Sequence, residues 1–242
     1  MKKQIIYPVA GIAAAFIIVS AFFLLGNSSS AREEIANSPG TTVSLPEPRH
    51  DSELSVEEAI FSRTSVRSFS SDPLTLEEAG QLLWSAAGKT VDGVTGATRA
   101  YPSAGGIYPL EVYLAAGQVE NLEPGIYRYN WREHALEKII AGDQRQELTR
   151  AAMGQNMVAE APASLVLTAD VGSTARRYGS RGEDRYVPMD VGGAGQNVHL
   201  QAESLGLGTV IIGAFNLGDV QNVLGGTENE PLYIMPVGTP GS

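Results

Sequence analysis

Residues 101–114 read YPSAGGIYPLEVYL, a turn of small residues that leads directly into a strand. From Leu110 onward, apolar side chains alternate with Glu111 and Tyr113, and this period of two predicts a half-buried strand. The residues from 88 to 109 are rich in Gly, Ser, Thr and Pro and predict an irregular loop. This stretch therefore joins a loop to one strand of a sheet, and the neighbouring segments indicate what kind of sheet it is.

Two capping boxes mark helices on the amino-terminal side of the loop. Ser55 with Glu58, and Thr75 with Glu78, have the spacing at which a hydroxyl and a carboxylate cap a first helical turn. Apolar periodicity and composition predict helices at 56–62, 76–86 and 189–205, and a further helix that opens with Asp143 and Gln146. Strands are predicted at 110–115, 125–129, 135–140, 163–169, 209–212 and 232–237. Helices and strands do not alternate regularly, so we expect an α+β fold with a mostly antiparallel central sheet flanked by helices.

The composition excludes several classes of function. Of the 242 residues, 43% are hydrophobic and 18% are charged, which is enough apolar material for one sizeable core. The absence of cysteine excludes disulfides, thiolate catalysis and cysteine-bound metal centres. The three histidines, His50, His134 and His199, are far apart in sequence, so no metal site is predicted. The formal net charge of −10 argues against nucleic-acid binding, which needs a basic face.

The amino terminus has the pattern of a membrane segment. Residues 5–25 are uncharged and largely apolar, and as a helix they would be about 30 Å long, the thickness of a bilayer core. We interpret residues 1–26 as an uncleaved anchor, with a cleaved signal segment as the alternative. Residues 27–54, rich in Ser, Pro and Gly, are expected to form an extended tether, and residues 55–242 the folded domain. Lys2 and Lys3 precede the apolar run, which predicts an extracytoplasmic domain, or a secreted one after cleavage.

Three local motifs fail on inspection. Gly88-Lys89-Thr90 resembles the end of a phosphate loop, but residue 83 is Leu where that loop needs Gly. Gly192, Gly193 and Gly195 resemble part of a dinucleotide-binding motif, but that motif needs a further Gly at position 198, which is Val198. Ser103 is the one hydroxyl that suggests a hydrolase, and no histidine lies near it in sequence to act as a base.

The segment RTSVR at residues 63–67 carries more information. Arg63 and Arg67 stand four residues apart with the hydroxyls of Thr64 and Ser65 between them. Two guanidinium groups and two hydroxyls can hold a phosphate through charge-assisted hydrogen bonds. Taken alone, two arginines within five residues are usually part of a solvated surface.

Several other segments accompany RTSVR in a fixed order. They are LPEP (45–48), RTSVRSF (63–69), LLWSAAG (82–88), YPSAGGIYPLEVYL (101–114), GIYRYNWREHAL (125–136), the run from 176 to 209, IIGAFN (211–216) and PLYIMPVG (231–238). In this order they resemble the SagB-type dehydrogenases of the nitroreductase superfamily. The resemblance extends over residues 42–240.

The resemblance implies an α+β homodimer with one flavin mononucleotide (FMN) in each of two clefts between the subunits. By motif match, the residues near the flavin phosphate and ribityl chain would be Arg63, Thr64, Ser65 and Arg67. Those close to the flavin ring would be Pro102, Ser103, Ala104 and Gly105, and those near its reactive edge Ile211, Ile212 and Gly213. A further block would lie near the interface and the substrate, and includes Tyr178, Gly179, Arg181, Arg185 and Tyr186. Gln196 and Asn197 match the long helix, where ordinary packing at the dimer interface is an equal alternative.

Two positions depart from the pattern of the family. Thr239 follows the last Val-Gly pair, where the family often has a basic residue near the phosphate. Gly193 stands in the long helix where the family often has histidine. The first change weakens the neutralisation of the phosphate, and the second leaves the substrate chemistry open.

The resemblance implies a flavin-dependent oxidoreductase that transfers two electrons as hydride between a donor, NAD(P)H being one option, and an organic substrate. The substrate would be a small molecule or a peptide, and oxidation of peptide azolines is one option. No side chain is identified as a catalytic acid. The alternative is a non-catalytic, membrane-tethered module that uses the fold for flavin binding or interaction.

The charge pattern around residues 5–25 yields a testable topology. Because the basic residues precede this run, protease added to intact cells should degrade the domain. Protection of the domain until the membrane is permeabilised would instead place it on the cytoplasmic side, beside the NAD(P)H pool.

Overall fold

An antiparallel sheet of seven strands forms the centre of the molecule. The structure is a computed structural model that describes residues 40–92 and 96–241. Its strands are β1 (Thr42–Ser44), β2 (Lys89–Asp92), β3 (Gly96–Arg99), β4 (Leu110–Ala116), β5 (Gly125–Asn130), β6 (Ala135–Ala141), β7 (Ala163–Ala169), β8 (Gly208–Thr209) and β9 (Glu230–Gly238). The strand order is β1-β6-β5-β4-β7-β9-β8, and β2 pairs with β3 in a separate hairpin. The expected α+β fold with a mostly antiparallel sheet is therefore confirmed.

Helices cover both faces of this sheet. They are α1 (Val56–Ser62), α2 (Leu76–Ala87), α3 (Arg145–Ala151), α4 (Met157–Glu160), α5 (Val171–Tyr178), α6 (Val187–Ser204) and α7 (Leu217–Val223). One core cluster joins α2 and α6 to one face of the sheet, and a second joins α3, α4 and α7 to the other face. Both predicted capping boxes are present, at Ser55 with Glu58 and at Thr75 with Glu78.

Strand β4 is more deeply buried than its alternating pattern indicates. Leu114 faces the first core cluster, while Tyr113 and Ala115 face the second, so both sides of the strand are covered. The expectation of a half-buried strand was therefore wrong. Tyr113 is tolerated in the interior because its hydroxyl remains hydrogen-bonded, to Thr227 at 3.3 Å and to Glu111 at 3.4 Å.

The folded domain begins earlier than residue 55. Residues 42–44, predicted to be part of the tether, pair with β6, and Val43 lies opposite Leu136. Leu45 is buried beside them, and the His134 ring is hydrogen-bonded to the carbonyl of Pro46 at 2.8 Å. So short a strand is stabilised by the partner it finds in the fold, which the local sequence pattern does not reveal.

Three further boundaries differ from the predictions. The loop predicted at 88–109 contains the β2–β3 hairpin, in which the hydroxyls of Thr90 and Thr98 are 2.8 Å apart. The helix predicted at Asp143–Gln146 begins at Arg145, whose N–H donates to Asp143 at 3.0 Å. The strand predicted at 209–212 is reduced to β8, and Ile212 forms a separate bridge with Ile234.

The predicted anchor at residues 5–25 and the tether up to residue 39 lie outside the described residues. Within residues 40–92 and 96–241, no helix has both the length and the apolar character needed to cross a membrane.

Candidate functional site

The segment from Arg63 to Arg67 is fixed by backbone pairing. After α1 ends, Ser65 forms a parallel bridge with Thr209 of β8, and the Val66 N–H donates to the Thr209 carbonyl at 3.0 Å. Gly208 lets the chain of Val66 approach this closely, because a β-carbon there would lie 2.5 Å from the Val66 side chain. The segment is therefore held against β8, two residues before Ile211.

The carboxy-terminal residues lie along the same segment. The N–H of Ser70 donates to the Thr239 carbonyl at 2.9 Å, and the N–H of Gly241 donates to the Ser68 carbonyl at 2.8 Å. Thr239 therefore lies beside the residues that directly follow Arg63–Arg67, the segment that the resemblance assigns to the flavin phosphate. Its side chain brings a hydroxyl rather than a positive charge to this place.

The two arginines of the segment are available to an anion. Arg63 is half-buried and Arg67 is exposed, as are the hydroxyl residues Thr64 and Ser65. Among the described residues, neither arginine forms an ion pair with a carboxylate. The nearest acid, Glu203 of α6, instead accepts hydrogen bonds from the Ser62 hydroxyl at 3.1 Å and from the Thr64 N–H at 3.4 Å.

The loop from Pro102 to Gly105 is anchored on a buried carboxylate. The Ser103 hydroxyl donates to Asp190 of α6 at 2.5 Å, and the Ala104 N–H donates to the other oxygen of Asp190 at 3.4 Å. The Ser103 oxygen in turn accepts the Tyr108 N–H at 2.9 Å. Asp190 is only 4% exposed, and burial raises the pKa of this carboxyl, although the two hydrogen bonds oppose the shift.

Gly105 is required by the shape of this loop. Its φ angle is +63°, and a β-carbon there would lie 2.4 Å from the hydroxyl of Tyr178. Arg177 donates to the Gly105 carbonyl at 3.0 Å. The Tyr178 ring packs edge-on against Tyr186 at 4.9 Å, so part of the expected substrate-side block does lie beside the loop.

Residues 211–213 leave the sheet beside the middle of α6. Ile212 exchanges two backbone hydrogen bonds with Ile234, of 2.9 and 3.0 Å. A β-carbon at Gly195 of α6 would lie 3.1 Å from the end of the Ile211 side chain. Gly213 comes next and is exposed. Apart from its two chain neighbours, no described residue has an atom within 4 Å of the place that a β-carbon of Gly213 would occupy.

Helix α6 separates the expected residues into two groups. The flank beside residues 62–66 and 211 carries Gly195, His199 and Glu203. The flank beside the loop carries Asp190, which holds Ser103, Gly193, which packs on Pro102, and Asn197, which donates to the Ala100 carbonyl at 3.0 Å. Exposed Gln196 lies between the two flanks. From Asp190 to Glu203 the helix axis extends about 20 Å.

Within one chain, therefore, the structure brings Arg63–Arg67 close to residues 211–213 but leaves Pro102–Gly105 on the opposite flank. Sequence reasoning missed Asp190 and Glu203 altogether. A carboxylate among the apolar residues of a long helix was the available signal for Asp190, since a buried carboxylate needs hydrogen-bond donors. Glu203 lies among polar residues of the same helix and offered no such signal.

The sequence model of the nitroreductase family matches residues 60–239 of the chain. The chain belongs to the nitroreductase family. It is 41% identical to the nitroreductase-family protein MJ1384 of Methanocaldococcus jannaschii, over 77% of this chain and 91% of that protein. A nitroreductase structure from Ralstonia eutropha has the same fold, with a TM-score of 0.71 and 29% identity over 85% of this chain and 95% of that one.

Other proteins share part of this sequence or its fold. The trifolitoxin operon protein TfxC of Rhizobium leguminosarum is 27% identical over 57% of this chain, which spans 43% of TfxC. The fold also recurs in the Escherichia coli microcin synthetase complex McbBCD, with a TM-score of 0.63 and 23% identity over 100% of this chain and 85% of that one. At 22% identity and a TM-score of 0.52, it recurs in the NADPH:FMN oxidoreductase of Vibrio harveyi, over 77% of this chain and 69% of that one. The chain is thus an oxidoreductase of the nitroreductase superfamily.

Because burial raises the pKa of Asp190, the free energy of unfolding should depend on pH. An acid whose pKa is higher in the folded than in the unfolded state stabilises the fold fully below its unfolded pKa, near 3.9. That contribution is lost as the pH rises through the folded pKa. Asp190→Asn should therefore gain in stability relative to the wild type between about pH 4 and pH 7.

Denaturant unfolding at a series of pH values measures this difference. The control is Asp184→Asn, because Asp184 is exposed in the turn before α6 and should leave the pH profile unchanged. If the difference in unfolding free energy between the wild type and Asp190→Asn is the same at all pH values, then the pKa of Asp190 is the same in the folded and unfolded states.

Proposed function

We propose that the chain is an FMN-dependent oxidoreductase whose flavin phosphate is held by Arg63 and Arg67. The observation that carries the proposal is the pairing of Ser65 with Thr209, which places these arginines beside the strand that leads to Gly213. The arginines that would bind the phosphate and the exposed Gly213 therefore lie on the same flank of α6. The name of the Vibrio harveyi relative, an NADPH:FMN oxidoreductase, supports FMN as the cofactor and NAD(P)H as a donor.

The residues present fit such a group. Two guanidinium groups without carboxylate partners are suited to a phosphate dianion, and the exposed hydroxyls of Thr64 and Ser65 can donate to its oxygens. The space above Gly213 admits a flat ring against the backbone, because no side chain stands there.

We propose further that two copies of the chain complete the site. The loop from Pro102 to Gly105 lies on the far flank of α6, so a second copy is needed to place such a loop over the first copy's Gly213. Apolar side chains are also left uncovered in the single chain: Phe61 is 93% exposed and Met189 on α6 is 61% exposed. Exposed apolar residues next to an open helix face favour association with another protein surface.

In this arrangement the cofactor would supply two-electron transfer, and the chain would supply binding and orientation. Arg63 and Arg67 would fix one end of the flavin. In each copy, Asp190 would hold that copy's own loop rigid through Ser103, and Gly105 would keep the loop backbone low enough to face the ring bound by the other copy. Arg177 and Tyr178, which touch that loop, would lie at the side from which a substrate enters.

A peptide is the substrate that the relatives favour. TfxC belongs to an operon for the peptide trifolitoxin, and the microcin synthetase complex was solved with truncated pro-MccB17 bound. We therefore propose SagB-type oxidation of azolines in a peptide as the activity, with a small organic substrate as the alternative. The anchor at residues 5–25 would tether this activity to a membrane.

A non-catalytic flavin-binding module is the second candidate, and Thr239 is the observation that favours it. With no positive charge at that position beside Ser70, the phosphate would be less fully neutralised. Purified protein that retains little yellow flavin absorbance near 450 nm, because it binds FMN weakly, would favour this second candidate.

Removal of Arg63 tests the assignment of the phosphate. A charge-assisted hydrogen bond contributes about 1.5–3 kcal/mol, so Arg63→Ala should weaken FMN binding roughly 10- to 150-fold. Riboflavin has the same ring without the phosphate, and its affinity should fall much less. Thr239→Arg should tighten FMN and leave riboflavin nearly unchanged, as measured by fluorescence titration of each ligand.

Arg150→Ala is the matched control, because Arg150 is exposed on α3 and pairs only with Glu147. It should change neither affinity. Equal losses of FMN and riboflavin in Arg63→Ala, with an unchanged circular dichroism spectrum, would remove Arg63 from the phosphate site.

A further inference from the structure

A cleft of about 450 Å³ lies apart from the residues assigned to the flavin phosphate. Its walls are the β5–β6 turn with Trp131, the beginning of α5 with Asp170 and Ser173, and the residues around Tyr108. Neither the arginine segment nor the strand that leads to the open glycine contributes to its lining. A cleft of this volume can enclose a small organic molecule or a short piece of peptide.

Arg99 brings a buried positive charge to this cleft. The residue, at the end of β3, is 7% exposed and lines the cleft wall. Its Nε donates to the Ala87 carbonyl at 2.8 Å, and its Nη1 to the carbonyls of Leu110 at 2.7 Å and Tyr108 at 3.4 Å. In the described part of the chain, Nη2 has no hydrogen-bond partner yet remains accessible, and no carboxylate forms an ion pair with this side chain. Because buried charges are normally paired, this guanidinium group is suited to an anion that enters the cleft.

A tryptophan holds a second unpaired arginine beside Arg99. The guanidinium carbon of Arg99 lies 5.2 Å from the centre of the Trp131 ring, and that of Arg132 lies 4.3 Å from it. Arg132 is exposed and, among the described residues, likewise forms no ion pair. Arg128, the third arginine of the cleft, differs, because its charge is already matched by Glu137 at 2.6 Å. Two cations therefore remain for a ligand in this cleft.

Acidic groups in the same cleft restrict which anion fits. Glu111 and Asp170 also line it. Glu111 is near enough to Arg99 to raise the pKa of its guanidinium, although burial is the larger cause and lowers that pKa. These two carboxylates would repel a phosphate dianion, whereas they can accept hydrogen bonds from amide N–H groups. A ligand with one negative charge and several N–H donors satisfies both sets of groups, and the carboxylate end of a peptide is such a ligand.

The cleft adjoins the loop that is proposed to face the flavin ring. The Tyr108 N–H, on the cleft wall, donates to the Ser103 oxygen at 2.9 Å. Helix α5 lines the cleft near its beginning, with Ser173, and ends at Tyr178 beside Gly105. Ser173 and Tyr178 are about 8 Å apart along the helix axis, a distance that two or three residues of extended peptide cover. One peptide can therefore reach from the cleft to the loop.

We propose that this cleft binds a carboxylate of a peptide substrate, which Arg99 and Arg132 hold two or three residues away from the group that is oxidised. The carboxylate belongs either to the carboxy terminus of the peptide or to an Asp or Glu side chain. The choice of a peptide substrate rests on the proposed function, while the site itself rests on the two unpaired arginines. Its role is to bind and position the substrate, so it takes no part in electron transfer.

Three short peptides test the site by titration calorimetry on the full chain, with FMN present. They are N-acetyl trialanine with a free carboxy terminus, the same peptide as its carboxy-terminal amide, and that amide with Asp as its middle residue. At least one of the two carboxylate peptides should bind roughly tenfold or more tightly than the neutral amide. The comparison of the two carboxylate peptides shows which source of the carboxylate the cleft prefers.

Arg132→Gln is the decisive variant, because this side chain is exposed and its loss should not disturb the fold. It should weaken binding of the preferred carboxylate peptide roughly tenfold and leave that of the neutral amide unchanged. Arg99→Gln should have a larger effect, but it also removes the hydrogen bonds to three carbonyls. Arg150→Gln, on α3 outside the cleft, is the matched control and should change no affinity.

Tryptophan emission locates the bound peptide. The chain has two tryptophans, Trp84 and Trp131, and of these Trp131 alone lines this cleft. The carboxylate peptide should therefore change the emission of Trp84→Phe, which retains Trp131, and should not change that of Trp131→Phe.

Equal affinities of the carboxylate and amide peptides, or an unchanged affinity in Arg132→Gln, would overturn the proposed site. Tighter binding of a nucleotide anion, adenosine 2′,5′-bisphosphate, than of either peptide beside Trp131 would overturn the choice of a peptide. The yellow flavin absorbance of the same samples reports FMN binding separately. Peptide binding by a chain that holds no FMN would therefore overturn the proposed function and leave the carboxylate site standing.

Discussion

Helix α6 is the element on which the arrangement of the site depends. Its apolar side packs on α2 and on the sheet, which leaves one face open and two flanks that are each fixed by a polar contact. On one flank, Asp190 holds the loop through Ser103; on the other, Glu203 holds the Thr64 N–H. About 20 Å of rigid helix keeps these two contacts apart.

This separation gives association a functional meaning. Under the proposed association, a second copy would supply the missing half of each site, and two-fold symmetry would form two sites at once. The exposed side chains of Phe61 and Met189 are consistent with such a contact. Within residues 40–92 and 96–241, Arg63 and Arg67 form no ion pair with a carboxylate, although the chain carries a net charge of −10.

Local chemistry made much of the fold predictable. The helices with capping boxes, the alternating strands and the antiparallel sheet follow from patterns within ten to twenty residues. By contrast, β1 is a short strand stabilised by its pairing with the distant strand β6, which a local pattern does not contain. The β2–β3 hairpin pairs locally, but its sequence is rich in Gly and Thr and lacks an alternating apolar pattern. The full burial of β4 depended in the same way on α3, α4 and α7, which cover its second face.

Sequence motifs predicted residues for the candidate site but not their arrangement in space. The order of motifs indicated Arg63–Arg67, Pro102–Gly105 and Ile211–Gly213, yet linear order does not tell which groups meet within one chain. The contacts of Asp190 and Glu203 depend on the register of α6 against two separate segments. That register is set by packing across the core, so it became visible in the structure alone.

Subunit complementation tests the central claim, that one flavin site is built from two copies, most directly. Arg63→Ala breaks the phosphate half, and Gly105→Val breaks the loop half, because a branched side chain at a φ angle of +63° is strained. At an FMN concentration that saturates the wild type but not the weakened sites, neither variant alone should hold FMN. When the two are mixed and allowed to exchange subunits, half of the dimers are mixed and each has one intact site, so about a quarter of all sites should recover FMN. No recovery, with exchange verified by mass spectrometry, would contradict the account and place the whole site within one chain.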